Sequence, residues 1–188
     1  MPFAERQFIK MKNTFSKHSV KWIAVIGMFM AIVIILSMSI FSIPVPGGHL
    51  YVNDIAICTA SIILDPLGAF LACGVGAFLG DAIFYPAPML VSLVTHGLQA
   101  VVISLCTRKL KMKKSVASAI GVILGAIIMV IGYTLGRIFV YTKSVEVAII
   151  KLPYEILQAG LGAVVGMILC YPCHLVDAFH KILGKEEK

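Results

Sequence analysis

Long apolar stretches make up most of this chain, yet His96, Gln99, Arg137, Tyr154, Glu155 and Gln158 stand inside them or at their edges. A water-soluble domain of 188 residues has little use for 60% hydrophobic residues and a mean hydropathy of +0.98. A chain dissolved in lipid does, because each helical crossing takes ~20 apolar residues. Polar groups at bilayer depth are expensive, so they face a bundle interior or a solute path. The expectation is a small all-α polytopic membrane protein of about six helices, some of them short, with a polar site inside it.

The net charge of +7 does not point to nucleic acid. Arg6, Lys10, Lys12, Lys17 and Lys21 precede or open the first span, and Arg108, Lys109, Lys111, Lys113 and Lys114 fill one connection. Lys181, Lys185 and Lys188 follow the last span, whereas the connections at 42–53 and 85–88 carry no Lys or Arg. By the positive-inside rule both termini and the 107–115 connection are cytoplasmic, and the span number is even. The long basic lead and the absence of a small-residue cleavage site make the first apolar run a span rather than a signal peptide. The expectation is one membrane domain over 1–188: a cytoplasmic segment 1–20, a bundle 21–172 and a cytoplasmic tail 173–188.

The spans are expected at about 21–41, 54–63, 66–84, 89–106, 116–140 and 148–170. Pro44, Pro46, Gly47 and Gly48 make the first outside connection a loop, and Tyr85-Pro86-Ala87-Pro88 makes the second. Asp65 and Pro66 read as N-cap and first residue of the third helix. Gly68, Gly74, Gly76 and Gly80 let that helix approach its neighbours closely.

Ser92, His96 and Gln99 share one face of the fourth span. Tyr133 and Arg137 lie four apart on the fifth; Arg137 is read either as pairing with Glu155 or a ligand anion, or as snorkelling to headgroups. Tyr154, Glu155 and Gln158 follow Pro153 on the sixth, with Lys151 near the same mouth. His49, Tyr51, Asn53 and Asp54 end the first outside loop, which serves either as a lid or as a solvated connection. Asp81 is assigned a scaffold role. The candidate binding set is therefore His49, Asn53, Ser92, His96, Gln99, Tyr133, Arg137, Lys151, Tyr154, Glu155 and Gln158. Gly27 and Ala31 form a small strip on the first span suited to helix contact. Cys170, Cys173 and His174 have metal spacing but lack a fourth ligand, so no metal is expected. No Walker, H-E-x-x-H or nucleophile-elbow motif is present, which favours recognition over catalysis. No continuous polar stripe lines every helix as a channel would need.

Size, span pattern and the stretch LDPLGAFLACGVGAFLGDAIFYPAP, followed by THGLQA, give a resemblance. The chain resembles the substrate-binding S component of energy-coupling factor (ECF) vitamin transporters over nearly its whole length. The resemblance implies capture of a vitamin or precursor from outside a prokaryotic cell membrane. It implies partnership with a membrane coupling protein and two cytoplasmic ATPases, which would use the ATP; no cofactor is expected in this chain. Gly27 and Ala31 would form the contact with the coupling protein. His96, Gln99 and Tyr154 suit pyridoxine or hydroxymethylpyrimidine, and Arg137 suits the carboxylate of pantothenate. A solitary secondary carrier and a structural membrane subunit are the alternatives.

Overall fold

The computed structural model describes residues 20–38 and 41–183. Apolar runs become helices because only helices satisfy every backbone group within one segment in lipid. The helices are α1 (Val20–Leu36), α2 (Asn53–Ile63), α3 (Pro66–Phe84), α4 (Met89–Lys109), α5 (Lys114–Tyr141), α6 (Val145–Cys170) and α7 (Leu175–Leu183). Four of them, α3 to α6, are long and apolar enough to cross a membrane; α1 has 17 residues and α2 has 11. The architecture is an all-α polytopic membrane bundle, and among the described residues it has four full-length spans rather than a clear six. The expected cytoplasmic segment 1–20 lies outside the described residues except for Val20, as do 184–188 of the tail.

The outer faces carry apolar belts, such as Ile123, Ile127, Ile131 and Leu135 on α5 and Leu90, Val94 and Leu98 on α4. Such belts are a liability in water and fit a lipid environment. Inner faces are lined with small residues. On α5 a Cβ at Gly132 would sit 2.5 Å from Thr95, and one at Gly136 2.5 Å from Val91, so the bare glycine face sets α5 close against α4. Gly74 of α3 meets Gly97 of α4, while Gly76 meets Val33 of α1 and Gly80 meets Ser37 just past its end.

Helix α2 is the centre of the bundle: every residue but Ile55 is buried. An end of such a helix inside the protein needs partners for its carbonyls. Arg108 donates to Ile62 O and Ile63 O at 3.3 and 2.8 Å, and Ser104 donates to Leu64 O at 2.6 Å. Asp65 occupies the N-cap position before Pro66, but its side chain makes no capping bond; it accepts from Trp22 Nε1 at 2.5 Å. Helix α3 widens into a π turn over Phe70–Val75, and α5 ends in one over Arg137–Tyr141.

The first connection is more ordered than a plain loop. Ile43–Val45 (β1) pairs antiparallel with Gly48–Leu50 (β2), in the register Ile43↔Leu50. Pro46 fixes φ, and Gly47 at φ +81° supplies the left-handed backbone that a side chain would resist. The tail also holds structure: Phe179 of α7 packs on Phe29 of α1, with ring centroids 5.2 Å apart. Gly27 and Ala31 lie on the exposed face of α1, with open space beyond Gly27.

Candidate functional site

The connections 41–52, 85–88 and 142–144 meet at one end of the bundle and roof a cavity of about 200 Å³. Its floor and walls come from α2 to α6, because those helices turn polar positions inward. Eight of the sequence candidates line it: His49, Asn53, His96, Tyr133, Arg137, Lys151, Glu155 and Gln158. On α6, Lys151, Glu155 and Gln158 recur every three to four residues and share the cavity face.

Three candidates do not line it. Ser92 and Gln99 stand one layer behind, and Tyr154 is turned off the cavity face of α6, with Lys151 Nζ 5.9 Å from its ring centroid. The lining also includes Gly47, Gly48, Tyr51, Asp81, Tyr85, Pro88, Met129, Tyr141 and Thr142. Of these, Tyr51 belongs to the loop that the sequence leaves as lid or solvated connection, Asp81 has the expected scaffold role, and the rest carry no polar anomaly inside an apolar run. Their signal is shared location: all but Met129, which lies in mid-α5, are in a connection at one end or within about a helical turn of one.

Arg137 and Glu155 form a buried ion pair at 2.8 Å, their side chains 7% and 3% exposed. Thr134 Oγ1 donates to the second Glu155 oxygen at 3.3 Å, and the guanidinium stacks over Tyr141 at 5.4 Å. This resolves the reading of Arg137 in favour of the pair over snorkelling. The pair cancels its own charge, which leaves Lys151 and Asp81 as the other charged side chains of the lining. Asn53 Nδ2 donates to Ser37 Oγ at 3.1 Å. Asn53 Oδ1 and Arg137 Nε are buried with no hydrogen-bond partner among the described residues, and both belong to cavity-lining residues.

Asp54 corrects the sequence reading most. It is neither lid nor solvated connection but fully buried in the first turn of α2. Its two oxygens accept from Gln99 Nε2 at 3.0 Å and Gln158 Nε2 at 2.6 Å. Gln99 Oε1 in turn meets His96 Nδ1 at 2.7 Å, and Gln158 Oε1 accepts from the Tyr51 backbone N–H at 2.9 Å. A second chain runs from Asp81 through Ser92, which lies 2.5 Å from the Tyr133 hydroxyl.

The hairpin is tied down over this layer. Lys151 Nζ donates to His49 O at 2.7 Å, and a Cβ on Gly47 would press on Lys151 Cβ at 3.2 Å. Burial, with the Asp81 carboxylate nearby, pushes the Tyr51 hydroxyl above its ordinary pKa, so it stays a protonated donor. Among the described residues no three His, Cys, Asp or Glu side chains gather as a metal site, Cys170, Cys173 and His174 included.

The family described as "ECF-type riboflavin transporter, S component" matches residues 17–174. An uncharacterised protein of Pyrococcus woesei is 32% identical over 131 residues, 69% of this chain and 86% of that one. The solved structure of the S component of a bacterial ECF transporter shares the fold: its TM-score is 0.63 at 20% identity, covering 82% of this chain and 95% of that one. Helices, cavity and family match converge: the chain belongs to the ECF-type S components, the non-catalytic, substrate-binding membrane subunits of these vitamin transporters.

Proposed function

We propose that the chain captures riboflavin in the hairpin-roofed cavity and delivers it inward as the substrate-specific subunit of an ATP-driven importer. The cavity wall carries this reading. Tyr51, Tyr85, Tyr133 and Tyr141 supply aromatic faces, while Asn53, His96 and Gln158 supply hydrogen-bonding groups. Arg137 and Glu155 neutralise each other, and Lys151 and Asp81 bring one further charge of each sign to the lining. Such a wall suits a neutral ring compound with polar substituents. The family description favours riboflavin over the pyridoxine or hydroxymethylpyrimidine type. The paired state of Arg137 argues against that residue as the anchor for the carboxylate of pantothenate, which would have to compete with Glu155.

The hairpin end faces outside in this reading, since the connections 42–53 and 85–88 carry no Lys or Arg while Arg108 to Lys114 mark the opposite end. Both termini are then cytoplasmic. ATP is hydrolysed by two partner ATPases joined through a membrane coupling protein, and this chain needs no cofactor of its own. The exposed small strip of Gly27 and Ala31 supports a helix contact with the coupling protein.

Proteoliposomes holding this chain, the coupling protein and the ATPases test the proposal with labelled riboflavin and pyridoxine. ATP-dependent uptake of riboflavin alone is expected. Uptake without the ATPases would make the chain a solitary carrier, and pyridoxine uptake would move the substrate back to the small-ring class. Gly27→Leu is expected to leave riboflavin binding unchanged and to cut uptake by about tenfold or more, the effect of ~1.4 kcal/mol lost at a contact. Unchanged uptake would remove Gly27 from the coupling surface.

A further inference from the structure

Asp54 does not line the cavity, yet it fixes which way the cavity's hydrogen-bonding groups point. Both of its oxygens accept amide N–H groups, so it acts as a carboxylate. Turning the Gln99 amide over would set its oxygen against a carboxylate oxygen, and the same holds for Gln158. The orientation of Gln99 is therefore forced, and its Oε1 faces His96 Nδ1. An amide oxygen can only accept, so the neutral imidazole carries its proton on Nδ1. Nε2 of this cavity-lining ring is then a bare acceptor.

The neighbouring chain works in the same sense. Ser92 has one proton and donates it to Asp81. It can only accept from Tyr133, so the single Tyr133 proton points away from the cavity and leaves an oxygen lone pair for it. The His96 and Tyr133 rings are adjacent, with centroids 5.2 Å apart.

We propose that His96 Nε2 and Tyr133 Oη form a paired acceptor that selects ligand hydroxyl donors, with Asp54 and Asp81 as the positioning residues that set its polarity through Gln99 and Ser92. The inference rests on this cavity being the vitamin site. It assigns the pair to hydroxyls of a polyol chain. A ring N–H flanked by carbonyls would set an oxygen against the second acceptor, whereas successive hydroxyls can donate to both. For riboflavin, that is the ribityl side.

The test begins with ¹⁵N NMR of the imidazoles in the detergent-solubilised chain at alkaline pH, with His96 assigned by loss of its signals in His96→Gln. The proposal expects Nδ1 protonated and Nε2 bare; the reverse tautomer overturns it. Asp54→Asn then gives one of the two glutamines a donor in place of an acceptor. Gln158 cannot turn, because the Tyr51 N–H cannot accept. Gln99 turns instead, and the His96 proton moves to Nε2. An unmoved tautomer in folded protein would overturn the relay. Where that variant does not fold, Gln99→Leu serves: His96 should then populate both tautomers, and retention of Nδ1–H alone counts against the proposal.

Binding supplies the second readout, with riboflavin compared to lumiflavin, which keeps the ring and lacks the ribityl hydroxyls. The wild-type chain should prefer riboflavin by about tenfold or more, as two hydrogen bonds imply. Asp54→Asn should lower that ratio, because His96 Nε2 then carries the proton while Tyr133, set by Asp81, still accepts. A purely structural role for Asp54 would weaken both ligands alike and leave the ratio unchanged, which would overturn the assignment. If neither flavin binds while the tautomers are as expected, the riboflavin reading fails and the acceptor pair stands.

Discussion

Replacing Glu155 with leucine is expected to destabilise the protein by about 3–5 kcal/mol, because it strands a buried guanidinium. Among the described carboxylates Glu155 alone pairs with Arg137, at 2.8 Å, in a wall where both side chains are buried. A guanidinium does not give up its proton at any workable pH, so the stranded charge has no escape. The mirror replacement, Arg137→Met, is expected to cost less. A stranded carboxyl can take up a proton, and Thr134 Oγ1 already sits 3.3 Å from it. The double variant Arg137→Met with Glu155→Leu should recover most of the lost stability, since an apolar pair of similar volume needs no desolvation of charge. Thermal unfolding of the three variants in detergent checks the order: Glu155→Leu lowest, Arg137→Met next, the double variant nearest to wild type. Equal losses in the two single variants, or a double variant worse than either, would contradict a mutually neutralised pair.

The second large effect is steric and changes sign within two residues of one helix. A Cβ at Gly162 would lie 2.5 Å from Asp54 Cβ, 2.9 Å from its carbonyl carbon and 3.0 Å from its carbonyl oxygen. Non-bonded carbons prefer about 3.5–4.0 Å, and backbone cannot swing aside as a side-chain tip does. Gly162→Ala must therefore push α6 away from α2 and pull Gln158 off Asp54, at a cost of about 1–3 kcal/mol or more. Gly160, on the exposed face of the same helix, has nothing within 4 Å. Gly160→Ala is expected to stabilise by up to ~1 kcal/mol through helix propensity alone. Melting temperatures moving in opposite directions would bear this out; equal shifts would mean that the α2–α6 contact is not the tight one.

Much of this architecture was legible because lipid leaves a chain few options. Apolar runs had to be helices, and a histidine, an arginine and a glutamate inside them had to face inward, where His96, Arg137 and Glu155 are. Helical spacing alone could not divide the inward face into layers. Ser92, His96 and Gln99 share a face, but only His96 reaches the cavity, and the other two orient what does. Tyr154 and Gln158 lie four apart on α6, yet the cavity face of that helix runs through Lys151, Glu155 and Gln158. Asp54 misled for a different reason. It follows a Pro-Gly connection and opens a short helix, the usual place for a solvated acid, and only tertiary packing puts that helix in the middle of the bundle. Helix α7 could have been found. Leu175, Val176, Phe179 and Leu183 recur at helical spacing within a segment read only as a charged tail, and they pack against the core.

Equilibrium titration of the purified chain in detergent with riboflavin, followed by quenching of flavin fluorescence, tests the central claim most directly. Tight one-to-one binding that pyridoxine, hydroxymethylpyrimidine and pantothenate in large excess do not displace is the predicted result. Folded protein that leaves flavin fluorescence unchanged, or that releases riboflavin to any of those three competitors, would contradict it.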